Sequence, residues 1–188
     1  MLEGILAYAK DHQVPIICED GLLFLNRAIK DYQVKDILEI GTAIGYSALA
    51  MASFGCTVDT FERNKEMARL AKINIEMYDA NHQVRLIESD ALLYEGELRF
   101  YDLIFIDAAK AQYKRFFEKF IPYLKPNGIV ICDNLRFHDL KPENVNRHTR
   151  QLLRKISEFK AFLLNNPDSE THFFEQGDGM TVTKRKIG

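Results

Sequence analysis

Two short stretches of the chain end in oxygen-rich residues. FIDAAKAQY (105–113) carries Asp107 and, three residues on, Lys110; VICDNLRF (130–137) carries Asp133 and Asn134. Two carboxylates and an amide are hard oxygen donors, suited to Mg²⁺ or Ca²⁺ and poor for zinc. Such a pair of carboxylates balances a divalent charge and leaves positions for water or a substrate. Beside a cation the ammonium form of Lys110 is disfavoured, which makes it a candidate general base. Plainer uses exist for each residue: Asp133–Asn134 suits a turn, Asp107 a helix N-cap, and Lys110 an exposed helix start. Cation and base together can activate a hydroxyl. A phenol-like hydroxyl has a pKa of about 10, and chelation through it and a neighbouring oxygen lowers that value and fixes the oxygen. The implied acceptor carries two adjacent oxygens.

A second constellation lies earlier. ILEIGTAIGYSALAMA (37–52) runs an apolar strand into a glycine turn and a small-residue helix. Gly41 permits the sharp turn, and Gly45 keeps the helix start close to a ligand. The order G-T-A-I-G departs from the dinucleotide fingerprint, because Ala43 stands where a residue without a side chain admits a pyrophosphate. The third glycine is also missing, and Glu39 adds negative charge where a phosphate wants none. A dehydrogenase is thereby disfavoured, and the loop reads as shaped for a nucleoside without phosphates. Glu62, 21 residues after Gly41, ends the next apolar run, where a carboxylate accepts both ribose hydroxyl hydrogens. Asp90 and Ala91 follow the third run in ESDAL and can border an adenine. A ribose, an adenine and no phosphate point to S-adenosylmethionine. An oxygen that has given its proton to Lys110 would attack the methyl group in line with the departing sulfur. Most of the acceleration would come from proximity and orientation.

Elements able to place these residues alternate along the chain. Apolar runs VKDILEI (34–40), CTVDTFE (56–62), VRLIES (84–89), YDLIFID (101–107) and GIVICDN (128–134) are separated by helix-like stretches. The stretches lie near 46–54, 64–79 and 111–124, with a longer one near 142–165. Runs that are apolar nearly throughout suit strands covered on both faces. Their alternation with helices predicts right-handed βαβ units in an open parallel sheet, with ligands beyond the carboxyl ends of the strands. THFFEQ, GDG and MTVTKRK predict two final strands joined by a tight glycine turn. The expectation is one α/β domain over 1–188, doubly wound, with helices on both faces and an antiparallel finish.

Composition narrows the class. A chain of 188 residues suits one such domain with a real core and is too short for two. A net charge of −2 argues for no polyanionic partner across the whole surface. No apolar stretch approaches the roughly 20 residues of a membrane span, and no signal peptide opens the chain. Cys18, Cys56 and Cys132 lack C-x-x-C spacing and lie in or beside apolar runs. Buried, reduced thiols and a cytoplasmic location are therefore expected.

EIGTAIGYSALAMA, ESDAL, YDLIFIDAAKAQY, LKPNGIVICDN and GDGMTVTKRK together resemble the metal-dependent O-methyltransferases of the catechol and caffeoyl-CoA type. The likeness runs from about residue 10 to the end. It implies a Rossmann-like methyltransferase sheet of seven strands. It also implies an S-adenosylmethionine site lined by Glu39, Gly41, Tyr46, Ser47, Glu62, Asp90 and Asp107. By the same resemblance Asp107, Asp133 and Asn134 are the metal ligands, with Mg²⁺ or another divalent cation, and Lys110 is the base. Family members usually begin with a further helical stretch that covers substrate and helps form dimers. Residues 1–31 read as a shortened version of it, so a homodimer is one assembly the resemblance brings into question.

The acceptor is read from residues 136–160, which hold seven Lys/Arg against three Asp/Glu. On a helix, Leu152, Ile156, Phe159 and Leu163 form a buried stripe, and Arg147, Arg150 and Arg154 fall on the opposite face. With Arg136 they make a basic ridge fit for phosphate contacts, or else a solvated helix face. This segment resembles the bacterial branch that methylates 5-hydroxyuridine at the wobble position of tRNA. There the 5-hydroxyl and 4-carbonyl form a catechol-like pair, and a single-stranded loop can splay the base into a pocket. Two alternatives stand beside tRNA: a catechol-like or caffeoyl-CoA-like small molecule as acceptor, and a non-catalytic S-adenosylmethionine-binding protein. Intact Asp107, Lys110, Asp133 and Asn134 argue against the last, since a binding module has no need of all four.

Overall fold

Five strands form where β-branched and aromatic residues run on with little interruption. They are β1 (Asp36–Ile40), β2 (Thr57–Glu62), β3 (Val84–Glu88), β4 (Tyr101–Ile106) and β5 (Leu124–Cys132). With β6 (Ser169–Phe174) and β7 (Met180–Arg185) they make one seven-stranded sheet, ordered β3-β2-β1-β4-β5-β7-β6. Pairing is parallel from β3 through β5, while β7 runs antiparallel to both β5 and β6. The predicted parallel sheet with an antiparallel finish is thus the observed one. The computed structural model describes residues 2–136 and 145–186.

The described residues also form six α-helices, two before β1 and four between strands: α1 (Glu3–Asp11), α2 (Glu19–Asp31), α3 (Tyr46–Ala52), α4 (Lys65–Tyr78), α5 (Tyr113–Phe120) and α6 (Arg147–Leu164). Residues 142–144, where the longest predicted helix begins, lie outside the described residues. Side-chain caps fix two starts. Asn64 Oδ1 accepts from the amides of Glu66 and Met67, and Asn146 Oδ1 accepts from that of Thr149.

Period-two alternation along the strands feeds two cores. Ile37, Val58, Leu103, Phe105, Ile129 and Ile131 pack with the buried faces of α1, α2 and α3. Leu38, Ile40, Ile104, Ile106, Val130 and Cys132 pack with α5 and α6 through Phe116, Phe120, Ile156, Phe159 and Leu163. Because both sheet faces are covered, the central strands carry few polar residues, which is why they read as nearly continuous apolar runs.

Two expectations are corrected. β5 begins at Leu124, four residues before the predicted start, although it contains Pro126. The β4–β5 register slips at this point, with Tyr101 opposite Leu124 but Leu103 opposite Ile129. The irregularity absorbs Lys125–Gly128, where a proline has no ladder bond to lose. Cys18 is exposed, not buried, because it stands at the start of α2; Cys56 and Cys132 are buried, and all three thiols are free. Among the described residues no helix is long and apolar enough to cross a membrane.

Candidate active site

The strand order reverses direction between β1 and β4, so the loops leaving these two strands part and open a crevice beyond their carboxyl ends. The sheet ladder continues one step past each strand. The amides of Gly41 and Thr42 both donate to Phe61 O at 3.0 Å, and the Asp107 amide donates to Ile40 O at 3.0 Å. These bonds hold the first residue of each loop as rigidly as the strand itself. Gly41 has φ +110°, and a Cβ there would lie 2.0 Å from Asp107 O. Only glycine lets the β1 loop lie this close to the β4 loop.

The crevice deepens into a cavity of about 510 Å³. Gly41, Tyr46 and Ser47 line it from the first loop and α3, Glu62 from β2, Asp90 and Ala91 from the loop after β3. Asp107, Lys110 and Asn134 line its other end. Nine of the sequence-derived site residues thus meet in one cavity.

Glu62 is held in place from both sides. Its Oε2 accepts from the Ala43 amide at 2.9 Å and its Oε1 from the Asn64 amide at 2.8 Å. A carboxylate has about four lone-pair positions, so each oxygen keeps one free toward the cavity. Ala43 adopts φ +46°, and that left-handed turn is what aims its amide at Glu62. Asp90 Oδ1 accepts from the Leu92 amide at 2.8 Å, and its Oδ2 lies 3.6 Å from Arg63.

Glu39 and Asp133 stand elsewhere: neither lines the cavity, and both are buried beneath it. Glu39 accepts from the hydroxyls of Ser47 and Thr60, each at 2.5 Å, and pins the start of α3 to β2. Burial raises its carboxyl to about 7, with the charges of Asp107 and Glu62 adding to the rise and the two hydroxyls opposing it. Asp133 is likewise raised to about 7, first by burial and then by the charge of Asp107. The Asp107 carboxyl is pushed up by its own burial, against which Lys110 and Asn134 act. Asn134, at φ +63°, donates from Nδ2 to Asp107 Oδ1 at 2.9 Å. Lys110 opens a short 3-10 turn, Lys110–Gln112, that leads into α5, as the sequence suggested.

A model of the O-methyltransferase family matches residues 6–186. The chain belongs to the O-methyltransferase family. Relatives include tapetum-specific methyltransferase 1 of Arabidopsis thaliana, 33% identical over an alignment of 184 residues, with 89% of this chain and 77% of the relative covered. Caffeoyl-CoA O-methyltransferase of Populus kitakamiensis is 27% identical, with 86% and 74% covered. Among solved structures, a Staphylococcus aureus protein provisionally described as a caffeoyl-CoA O-methyltransferase superposes with a TM-score of 0.92. It is 38% identical, with 98% of this chain and 92% of that one covered. The SAH-bound methyltransferase PaMTH1 of Podospora anserina gives a TM-score of 0.76 at 28% identity, with 87% and 77% covered. The family is one of S-adenosylmethionine-dependent O-methyltransferases, and this chain is an enzyme of that class.

Several residues at this candidate site of the O-methyltransferase carry no signal in the sequence. Val14, Pro15, Ile16 and Ile17, between α1 and α2, form an apolar wall of the cavity. Arg63 and Asn64 line it beside Glu62, and Tyr113 donates its hydroxyl to the Asp133 carbonyl at 3.0 Å. Asp178, in the turn between β6 and β7, brings a further negative charge that raises both Asp107 and Asp133. In sequence the GDG triplet shows only a hairpin signal. Leu135 and Arg136 donate their amides to Gly179 O and Asp178 O at 2.9 and 2.7 Å, which fastens that turn to the loop after β5. Arg147, Arg150 and Arg154 lie exposed on α6, opposite buried Ile156, Phe159 and Leu163. Arg154 pairs with Glu158 at 3.4 Å.

Proposed function

We propose that this O-methyltransferase places the methyl group of S-adenosylmethionine on a hydroxyl that has a second oxygen beside it, and that the acceptor is 5-hydroxyuridine in a tRNA anticodon loop. The observation that carries the reaction is the two-ended cavity. One end offers a fixed carboxylate at Glu62 with Asp90 and Ala91 beyond it, and the other offers Asp107, Lys110 and Asn134.

In this reading Glu62 accepts the ribose hydroxyls, and Asp90 with Ala91 borders the purine. Val14–Ile17 cover the ligand and exclude water, which strengthens every polar contact inside. The residues fit a divalent cation. Asp133 is a buried carboxyl whose affinity for a proton the charge of Asp107 raises, and a cation bound by both would remove that penalty. Among the described residues no three His, Cys, Asp or Glu side chains group to hold a metal, so the set rests on two carboxylates and the amide of Asn134. A cation held there would supply Lewis acidity at the acceptor hydroxyl. Lys110 Nζ takes the hydroxyl proton. The new C–O bond forms as the C–S bond breaks, and S-adenosylhomocysteine leaves as a neutral thioether.

For the acceptor, the support is α6. It packs against the Lys110–Gln112 turn and turns Arg147, Arg150 and Arg154 outward, a row suited to phosphates beside the open end of the cavity. A caffeoyl-CoA-like small molecule is the second reading, and the Populus relative is what favours it. Labelled S-adenosylmethionine with Mg²⁺, offered hydroxylated tRNA in one tube and caffeoyl-CoA or a simple catechol in another, tests both. Label in tRNA that disappears with EDTA supports the first reading; label confined to the small molecule overturns it.

A further inference from the structure

A second cavity, of about 430 Å³, lies at the opposite edge of the sheet from the one just described. The end of α5, the end of α6 and the outer ends of β6 and β7 enclose it. Phe117, Ile121, Pro122 and Phe162 supply apolar walls. Phe117 and Phe162 meet edge to face, with ring centroids 5.6 Å apart, and both line the cavity.

Two polar groups in this cavity lack the partners their burial demands. Ser169 is 6% exposed, and its Oγ is buried without a hydrogen-bond partner among the described residues. A hydroxyl shut away from water in this condition is costly, and native proteins keep few of them. Arg185, half-buried, gives one bond from Nη2 to the Ile121 carbonyl and makes no ion pair among the described residues. Ser169 and Arg185 stand directly opposite each other across the β6–β7 ladder. Opposed residues of an antiparallel pair project to the same side, so hydroxyl and guanidinium share one face.

The carboxylates nearby do not answer Arg185. Glu118 is 3.7 Å from Lys114 and engaged with it. Asp168 lies exposed on the turn before β6, where its carbonyl accepts from the Lys186 amide at 2.9 Å. A guanidinium without an ion pair and a hydroxyl without a hydrogen bond among the described residues, set between aromatic walls, ask for a ligand with an anionic, hydrogen-bond-accepting end and a flat apolar body.

We infer that this cavity is a second ligand site, distinct from the methyl-transfer site, and that it takes a small aromatic carboxylate through Arg185 and Ser169. The carboxylate oxygens accept from the guanidinium and from Ser169 Oγ, and the ring lies against Phe117 and Phe162. Nothing in the methyl-transfer reading is needed for this, so either can fail without the other.

The test is calorimetric titration of the whole protein, saturated with S-adenosylhomocysteine, with trans-cinnamate. Cinnamyl alcohol keeps the ring without the charge, and acetate keeps the charge without the ring. The expected result is saturable 1:1 binding of cinnamate, with both partial probes at least about tenfold weaker. Ser169→Ala, which removes a hydroxyl with no partner among the described residues, should fold normally and weaken cinnamate about fivefold. Arg185→Gln should weaken it about tenfold or more. Absent saturation, equal binding of cinnamyl alcohol, or unchanged affinity in Ser169→Ala would each overturn the assignment.

Discussion

The carboxamide of Asn134 donates to Asp107 Oδ1 at 2.9 Å, tying the loop that leaves β5 to the loop that leaves β4. This bond joins residues 27 positions apart in sequence, and it gathers the oxygen donors of the reacting end at one point of the sheet edge. Behind it sits Asp133, buried, with its amide donating to Ile106 O at 3.2 Å. In the proposed function the group that holds the acceptor is separate from Glu62, the carboxylate assigned to the nucleoside, and substitutions should separate the two functions as well.

Asp133→Ala should lower methyl transfer by a factor of about 100 or more, since loss of one hard-oxygen donor removes much of the activation of the hydroxyl. Affinity for S-adenosylmethionine should stay within a few fold, because Glu62 and Asp90 are untouched. Label transfer and calorimetry on the same preparation check both halves, and EDTA should reproduce the loss in the wild-type enzyme.

Stability should fall as the metal-free protein is taken from about pH 5 to pH 7. Glu39 ionises near 4.5 when unfolded but only at about 7 in the fold. Between those values the folded state binds more protons than the unfolded one, so raising pH favours unfolding until Glu39 has ionised in both. Asp133 and Asp107 tilt the curve the same way, so Glu39→Gln isolates one share. It should flatten the slope and gain roughly 2 kcal/mol on the parent at pH 8 relative to pH 5. Thermal melts in EDTA across this range give the comparison, and parallel slopes would contradict it.

Gly41→Ala should cost about 2 kcal/mol or more of stability and most of the affinity for S-adenosylmethionine. A side chain at φ +110° is strained, and its Cβ meets a backbone oxygen that cannot rotate away. A chemical denaturation curve and a titration with S-adenosylhomocysteine measure the two effects.

Replacing Arg147, Arg150 and Arg154 together by Ala should weaken tRNA binding and reduce its salt dependence, by a slope of about 0.7 for each phosphate left without its cation. Turnover of a small catechol should be unaffected. Binding isotherms at several salt concentrations decide it, and an unchanged slope would reduce the arginine row to a solvated helix face.

Much of the site was legible in short windows. Gly41, Glu62, Asp90, Asp107 and Asp133 each end or closely follow an apolar run, and in a parallel sheet all such positions emerge at one edge. Chain direction and period-two burial are local properties, so the sequence by itself determined which residues reach the reacting edge and that β6 and β7 close the sheet antiparallel. It could not tell which of them face the ligand. Glu39 and Asp133 carry the residue types of a binding site, yet they lie under the cavity because their neighbours in space, Ser47, Thr60 and Ile106, are set by strand register and helix docking. The Val14–Ile17 wall and the approach of Asp178 were invisible for the same reason: each is brought to the edge by packing across more than 20 positions of chain, and no local pattern records such a contact. Only the tertiary structure decided those, because closing long loops is governed by the burial of whole faces and not by the residues at the point of contact.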